Sequence, residues 1–350
     1  MNRRRFLRTK PLAGAGSILL PAPETEPTPG GLTLIRVSRR AMATRFEVAL
    51  PYGTPDALAA AEDALDLIDD LEDQLTVYRD HSEVSRLNAS APAGPVVVEP
   101  NLFDLLAFSV ALTNGTAGAF DIATGSLIKA WGFFKREGRV PPPRELADAR
   151  ARSGMRHVIL NADARTVKYR RAGLEINLGG IGKGYALDLA ADLLRRKWGV
   201  ASALLHGGGS SVRALGTPPG QPRGWPVAVR HPWDDARTLG TVWLRDEGFG
   251  TSAATFQYFE YKGRKLGHLL DPRTGWPAAG TASASVVAPT AAAADALSTA
   301  FFVLGAAGAA AHCTPRPSLG AVVLPEDDPP TTVGLDATRY DPPTARTIPD

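Results

Sequence analysis

The stretch "NLGGIGKGYALDLAADLLRR", residues 177–196, places four glycines and a lysine directly in front of a helical pattern that ends at Gly199. These glycines have two interpretations. They either bend the backbone and let the helix pack closely, or they open the helix start, with its N–H groups and partial positive charge, to a bound anion. The spacing matches neither the dinucleotide fingerprint nor the P-loop. Lys183 favours the second interpretation. A lysine at a helix start is repelled by the partial positive charge of the helix dipole, unless a bound anion lies nearby.

The segments around this stretch predict an α+β fold. Apolar positions at helical spacing predict helices over residues 54–78, with Thr54 as N-cap, from about residue 101, and over residues 291–305. Short apolar runs predict strands at 32–40, 44–50, 157–178, 201–205, 283–288 and 320–325, and a hairpin over 256–270. Because helices and strands do not alternate regularly, we expect mixed, largely antiparallel sheets flanked by helices rather than a doubly wound sheet.

Composition bounds the function classes. The chain has 350 residues, of which 44% are hydrophobic, enough for one large or two intimate domains. Its formal net charge is +3, but residues 1–22 contribute five basic side chains and no acidic one, so the remainder carries −2. The body of the chain therefore gives no support for nucleic-acid binding. A single cysteine, Cys313, excludes an intrachain disulfide and a cysteine-cluster metal site.

The two ends of the chain differ from its body. Residues 1–32 begin "MNRRRFLRTKPLAGAGSILLPAP" and resemble a twin-arginine export signal followed by a proline-rich linker; a basic tail is the alternative. We therefore expect a periplasmic or other extracytoplasmic location. Residues 326–350 are rich in proline, threonine and aspartate, and we expect a loose C-terminal tail.

Two segments carry residues suited to catalysis. His268 precedes the turn signals of "HLLDPRTGWP", where a side chain at a strand end can face a cleft, although a structural histidine is the alternative. Asp295 and Thr299 lie four residues apart and share one face of an otherwise apolar helix. An unpaired aspartate there is costly. Either Mg²⁺, which prefers oxygen ligands, or the dipole of the helix start would stabilise it.

Taken in order, eight segments resemble the ApbE family, the FAD:protein FMN transferases, over about residues 33–325. No single motif is specific, but their number and order are. They are "MAT" (42–44), "SEVSRLN" (82–88), "GAFDIATGSLIKAWGF" (118–133), "NLGGIGKGYALD" (177–188), "HGGG" (206–209), "GTSA" (250–253), "HLLDPRTGWP" (268–277) and "ADALSTAFFVLG" (294–305).

The resemblance implies an ApbE-like flavin transferase fold, FAD as substrate and Mg²⁺ as cofactor. FMN is then moved to a Thr or Ser hydroxyl of an acceptor redox protein, and AMP is released. His268 would be the general base, Asp295 would also be catalytic, and Asp295, Thr299 and the Gly182 carbonyl would bind the metal. The expected FAD-binding residues are Met42, Tyr78, Ala119, Phe120, Asp121, Gly179, Lys183, Tyr185, Asp188, Ser252 and Leu269, with Lys183 and the helix start facing phosphate oxygens.

The sequence departs from the family pattern at several positions. Asn177 replaces a usual aspartate, Gly182 a common alanine and Ala43 a glycine, "HGGGSS" lacks an acid after its glycines, and "TSAAT" replaces "TSG" followed by an acid. Two other functions remain open: a Mg²⁺-dependent FAD pyrophosphatase and a non-catalytic flavin-binding or carrier protein. Membrane contact is expected only through export or through a membrane-bound acceptor.

Overall fold

The computed structural model describes residues 32–253 and 258–343, and it has the α+β architecture that the sequence predicts. The segment that resembles an export signal therefore lies outside the described residues. An eight-stranded sheet forms the centre; helices cover one face, and a three-stranded sheet covers the other. Every strand pairing among the described residues is antiparallel.

The strands fall into one large and three small sheets. In spatial order, the central sheet contains β1 (Leu34–Ala41), β2 (Thr44–Pro51), β6 (Ala203–Gly207), β7 (Ser211–Leu215), β10 (Gly248–Ala253), β13 (Thr281–Ala288), β14 (Gly320–Pro325) and β15 (Thr331–Val333). The small sheets contain β16 (Tyr340–Asp341), β9 (Asp234–Leu244) and β8 (Trp225–His231); β3 (Val96–Val97), β5 (Thr166–Tyr169) and β4 (Val158–Asn161); and the hairpin of β11 (Tyr258–Tyr261) and β12 (Arg264–Gly267).

Seven α-helices complete the described part of the chain. They are α1 (Ala57–Leu75), α2 (Glu83–Ser90), α3 (Pro100–Gly115), α4 (Gly125–Ala130), α5 (Pro143–Arg152), α6 (Gly182–Trp198) and α7 (Ala291–Cys313). Helices α1, α6 and α7 pack side by side, and α7 lies directly on β10 and β13. The main apolar core fills the space between these helices and the sheet, and a second core lies between the sheet and β8–β9. A third, smaller cluster joins α4, α5 and β12.

The start of α1 differs from the sequence prediction. The helix begins at Ala57 after Asp56, whose φ of 48° is left-handed, whereas Thr54 donates its hydroxyl hydrogen bond back to the Pro51 carbonyl. Leu58, one turn into the predicted helix, is 58% exposed, while Leu65, Ile68, Leu71 and Leu75 are buried. The first turn is therefore set by the preceding tight turn rather than by the threonine cap.

Helix α7 is the one helix in the described ranges that is long and apolar enough to cross a bilayer by length and composition. Gly305, the predicted helix end, has a φ of 69° and interrupts the helical backbone, after which the helix continues to Cys313. The first part of α7, before this break, is almost completely buried between α6 and the central sheet. The apolar composition of this first part thus follows from its place in the protein core.

Residues 326–343 contain two strands, so the expectation of a loose tail from residue 326 is wrong for these residues. Strand β15 extends the central sheet beside β14, and β16 pairs with β9. Arg339 binds the Glu247 carboxylate with an Nη2–Oε1 distance of 2.7 Å, and Tyr340 donates its hydroxyl hydrogen bond to the Leu239 carbonyl. Long-range contacts therefore order a segment whose composition alone favours disorder.

The β1–β2 hairpin allows a stability prediction. Met42 and Ala43 turn the chain with φ values of 48° and 59°, the left-handed conformation of a two-residue type I′ turn, which favours glycine at the second position. We expect Ala43→Gly to raise the free energy of unfolding by about 0.5–1 kcal/mol, because relief of the strained φ exceeds the entropy gained by the unfolded chain.

Urea unfolding measures this effect. Ala59→Gly, at an exposed position of α1, is the matched control and should lower the free energy of unfolding by about 1 kcal/mol. Equal losses of stability in the two variants would contradict the prediction.

Candidate active site

A cleft of about 420 Å³ opens at the ends of β10 and β12, beside the start of α6 and the first half of α7. Most of the residues that the sequence analysis selected line it. They are Tyr78, Ala119, Phe120, Asp121, Gly179, Lys183, Ser252, His268, Leu269, Asp295 and Thr299. These residues come from segments spread over more than half of the chain, and the fold brings them to one cavity.

A second cavity of about 260 Å³ adjoins the cleft, and Tyr78, Gly179 and Lys183 line both. Met42 and Gly182 line this second cavity rather than the cleft. The expected FAD-binding residues are thus divided between two adjoining cavities. Gly182 is not among the residues that line the cleft with Asp295.

Three glycines explain how Asp295 reaches the cleft. A Cβ atom on Gly184 of α6 would lie 2.1 Å from the Ala291 carbonyl oxygen, and one on Gly248 of β10 would lie 2.3 Å from the Ala291 nitrogen. A Cβ on Gly250 would lie 2.5 Å from the carbonyl carbon of Ala294. The first turn of α7 therefore rests backbone to backbone on α6 and β10. Close packing, the first interpretation of the glycine run, applies at Gly184.

Asp295 is 5% exposed, and its carboxylate has partners on both oxygens. The Gly184 N–H donates to Oδ2 at 2.8 Å, the Ser211 hydroxyl donates to Oδ1 at 2.6 Å, and Lys183 Nζ lies 3.8 Å from Oδ2. Burial raises the pKa of Asp295, while Lys183, Ser211 and Gly184 favour the charged form and oppose that rise. The aspartate is therefore not unpaired, and the dipole that stabilises it belongs to α6 rather than to its own helix.

The start of α6 is consequently less open to an external anion than the sequence suggests. The Gly182 N–H donates to the Leu178 carbonyl at 2.7 Å, and the Gly184 N–H is used by Asp295. The protein supplies its own anion at this helix start. Lys183, whose side chain is 25% exposed, remains directed into the cleft, where a phosphate can reach its ammonium group.

Hydroxyl groups surround Asp295 on the cleft side. Ser252 Oγ lies 3.2 Å from Thr299 Oγ1 and 3.0 Å from Ser298 Oγ, and Thr299 also donates to the Asp295 carbonyl at 3.3 Å. These hydroxyl groups and the Asp295 carboxylate line the same cleft, and oxygen is the ligand atom that Mg²⁺ prefers. Across residues 32–253 and 258–343, no three His, Cys, Asp or Glu side chains cluster as a metal site. One carboxylate fits Mg²⁺, which commonly takes one or two carboxylates and completes its shell with water and substrate phosphate.

His268 follows β12 and lines the cleft. Its ring meets Phe133 edge-to-face, with ring centroids 6.5 Å apart. The segment after it forms the predicted turn, in which the Gly275 N–H donates to the Asp271 carbonyl at 2.8 Å. Trp131 Nε1 holds this turn by donating to the Gly275 carbonyl at 2.8 Å. The histidine therefore lies against a buried aromatic cluster.

Three of the expected site residues have other roles in the structure. Tyr185 packs against the main core and lines neither cavity, and Asp188 lies outside both cavities and binds the backbone of α7. Asp121 lines the cleft, but its carboxylate accepts the N–H groups of Ala123 and Met155, and burial raises its pKa. The carboxylates of Asp121 and Asp188 thus hold loops and helices in place.

Sequence reasoning missed other residues of the site. Ser211 and Ser298 contact Asp295, and Thr44, Ser210 and Thr251 line the cleft. Ser211 comes shortly after the "HGGG" segment of the family resemblance, yet its pairing with Asp295 depends on β7 meeting α7. No local pattern in the sequence indicates that contact.

Comparisons with known proteins agree with this geometry. The model of the ApbE family matches residues 42–323. The FAD:protein FMN transferase of Treponema pallidum is 36% identical over 71% of this chain and 72% of that protein, and the one of Escherichia coli K12 is 31% identical over 76% and 77%.

Solved structures show the same arrangement of elements. The crystal structure of the ApbE protein from Thermotoga maritima superimposes with a TM-score of 0.78 at 27% identity, covering 86% of this chain and 97% of that one. The apo form of the flavinyl transferase ApbE from Pseudomonas stutzeri gives a TM-score of 0.75 at 27% identity, covering 86% and 95%.

Proposed function

Since this chain belongs to the ApbE family and shares its fold, we propose that it is an FAD:protein FMN transferase. The observation that carries the proposal is the convergence of His268, Lys183, Asp295 and Thr299 on one cleft. This cleft combines a proton acceptor, a cation for phosphate and an oxygen donor set for a metal. Phosphoryl transfer needs these groups because it depends mainly on positioning and on neutralisation of charge.

The reaction that we propose is attack by an acceptor hydroxyl, from a threonine or serine, on the FMN phosphorus of FAD. A new P–O bond joins FMN to the acceptor, the P–O bond to the AMP portion breaks, and AMP leaves with the electron pair. The hydroxyl proton passes to the imidazole of His268, since a neutral histidine can accept a proton as a general base. Lys183, whose Nζ lies 3.8 Å from the Asp295 carboxylate, places a positive charge beside the pyrophosphate.

Mg²⁺ fits the oxygen donors of the cleft. The Asp295 carboxylate and the Thr299 hydroxyl would hold it, and the family resemblance adds the Gly182 carbonyl. When bound, the ion supplies charge neutralisation for the pyrophosphate and the leaving AMP. Gly182 contributes only its backbone, so the exchange of the common alanine for glycine leaves that ligand in place.

The two adjoining cavities suit the two nucleotide halves of FAD. Tyr78, which is 67% exposed and stacks on Phe134 with ring centroids 4.8 Å apart, lines both cavities. Phe120 and Leu269 supply apolar surface in the cleft, as a planar flavin or adenine ring requires. We infer that FAD spans both cavities with its pyrophosphate near Lys183.

The acceptor that we propose is an extracytoplasmic redox protein, or the outer domain of a membrane-bound one. This part of the proposal is supported by the twin-arginine-like residues at the start of the sequence. Fractionation of cells that express the full chain tests it, because Arg3→Lys together with Arg4→Lys should keep the protein in the cytoplasm.

The decisive experiment incubates the purified protein with FAD, Mg²⁺ and an acceptor domain that carries a flavinylation threonine. The intact mass of the acceptor is then measured. A mass gain that matches one covalently attached FMN moiety, and that EDTA prevents, supports the transferase. Released AMP without a mass gain indicates the FAD pyrophosphatase, and bound FAD without either product indicates a carrier protein.

We expect His268→Ala to lower the transfer rate by about 10²–10⁴-fold while FAD still binds, since a general base contributes about that much. The measurement is single-turnover flavinylation at saturating FAD, with FAD affinity from fluorescence quenching. His231→Ala, on β8 and outside both cavities, is the matched control and should transfer at the parental rate. Parental transfer by the His268 variant would contradict the assignment.

A further inference from the structure

Asp188 and Asp295 bind each other's helices in a reciprocal way. The Asp188 carboxylate, on α6, accepts the N–H groups of Ala291 and Ala292 at 2.9 Å each, which are the first two residues of α7. The Asp295 carboxylate, on α7, accepts the N–H of Gly184 in the first turn of α6 at 2.8 Å. Each helix start therefore receives a negative charge from the other helix, which is the favourable arrangement for both dipoles.

The first three residues of α7 all have partners for their N–H groups, which a helix start leaves without partners inside the helix. Besides the two N–H groups that Asp188 accepts, the N–H of Ala293 donates to the Thr290 hydroxyl at 3.1 Å. Asp188 therefore accepts two of these three hydrogen bonds, and Thr290 alone cannot replace it.

Arg213 of β7 holds Asp188 and the approach to α7 together. Its Nε lies 3.3 Å from Asp188 Oδ1, and its Nη1 donates to the carbonyls of Pro289 at 2.8 Å and Asp246 at 2.9 Å. The side chains of Arg213 and Asp188 are 12% and 19% exposed. This largely buried pair fixes the chain immediately before and at the start of α7.

The position of α7 in turn fixes the candidate metal ligands. Asp295 lies one turn after the residues that Asp188 binds, and Thr299 lies one turn further along the same helix. A small displacement of the helix start would move both oxygen donors relative to Lys183 and the cleft. Oxygen ligands of Mg²⁺ must meet a near-ideal octahedral geometry at short distances, so the site tolerates little displacement.

We propose that Asp188 is a positioning residue for the Mg²⁺ site, which it shapes through the start of α7 without contacting FAD or the metal. The inference rests on the proposed function only for the identity of the metal site. It replaces the expectation that Asp188 binds FAD, because the carboxylate is directed at α7 and lines neither cavity.

The test compares Asp188→Ala and Asp188→Asn with the parent and with Asp192→Asn, a control one turn further along α6 whose carboxylate binds Arg196 at the surface. Mn²⁺ binding to the FAD-free protein is measured by electron paramagnetic resonance, and the Mg²⁺ concentration for half-maximal transfer is measured in parallel. Partners that orient metal ligands typically contribute 10–100-fold to metal affinity. We expect a loss of about that size for Asp188→Ala and a smaller one for Asp188→Asn, which keeps one acceptor oxygen.

A merely structural role predicts a different result. It would lower the melting temperature and the amount of folded protein, yet leave Mn²⁺ affinity per folded molecule unchanged, and that outcome overturns the proposal. A parent protein that binds no Mn²⁺ also overturns it. If Asp188→Ala does not fold, Asp188→Asn decides the question. If the parent binds Mn²⁺ but transfers no FMN, the transferase is refuted. A loss of Mn²⁺ affinity in Asp188→Ala would then still support the positioning role.

Discussion

In Asp295→Asn, we expect Mg²⁺-dependent FMN transfer to fall by about three powers of ten, roughly 4 kcal/mol of transition-state stabilisation. The variant loses the cleft carboxylate that accepts the Ser211 hydroxyl hydrogen bond. The asparagine oxygen still accepts the Gly184 N–H, and its amide group can donate to Ser211. The helix contacts of the carboxylate are therefore kept, while the negative charge that attracts the metal is removed.

The fold should survive this substitution. Burial raises the pKa of Asp295, so the charged form is less favourable in the folded protein than in water, and a neutral amide of the same shape removes that penalty. We expect the free energy of unfolding to change by no more than about 1 kcal/mol. The measurements are Mg²⁺ titration of transfer and urea unfolding, with Asp192→Asn as control. Undiminished Mg²⁺-dependent turnover would refute the metal assignment.

The second large effect is expected at Gly184. In Gly184→Ala, the new Cβ would lie 2.1 Å from the Ala291 carbonyl oxygen and 2.7 Å from the Ala292 nitrogen. Both are backbone atoms of α7, so no side chain can move aside and the two helices must separate. We expect the free energy of unfolding to fall by about 3 kcal/mol or more, together with metal-dependent transfer, because the N–H of Gly184 loses its alignment with Asp295.

Gly182→Ala is the matched control two residues earlier. There the nearest atom to a new Cβ is Leu178 Cβ at 3.6 Å, an ordinary contact. We expect the free energy of unfolding of this variant to lie within about 1 kcal/mol of the parental value. It should also keep the parental transfer rate, since a carbonyl ligand does not depend on the side chain. Urea unfolding and the acceptor-mass assay measure both variants. If Gly184→Ala were as stable as Gly182→Ala, the close backbone contact between α6 and α7 at Gly184 would be refuted.

The secondary structure could largely be predicted from local patterns. The β1–β2 and β11–β12 hairpins, helix α6 with its end at Gly199, and strands β13 and β14 all lie where apolar periodicity and turn residues indicate. Strands β8 and β9 were missed, because Pro226 and Pro232 and a run of charged residues weaken the strand signal. Their ladder forms because the second face of the central sheet offers an apolar surface to cover.

Within the candidate site, the sequence by itself determined the kinds of group present and their local spacing. Asp295 and Thr299 share a helix face because four residues make about one turn, and His268 precedes a turn because Asp271 and Gly275 close it. Such relations depend only on backbone geometry over a few residues, so they can be inferred without the fold.

Only the tertiary structure decided what each group binds. Asp295 meets Gly184, 111 positions away, and Ser211, 84 positions away, whereas Asp188, expected at FAD, binds the start of α7. These contacts arise where glycines allow α7 to touch α6 and β10, and a contact between distant segments depends on how whole elements pack. A linear pattern carries no record of such packing, so the chemistry of the residues followed from the sequence and their roles from the fold.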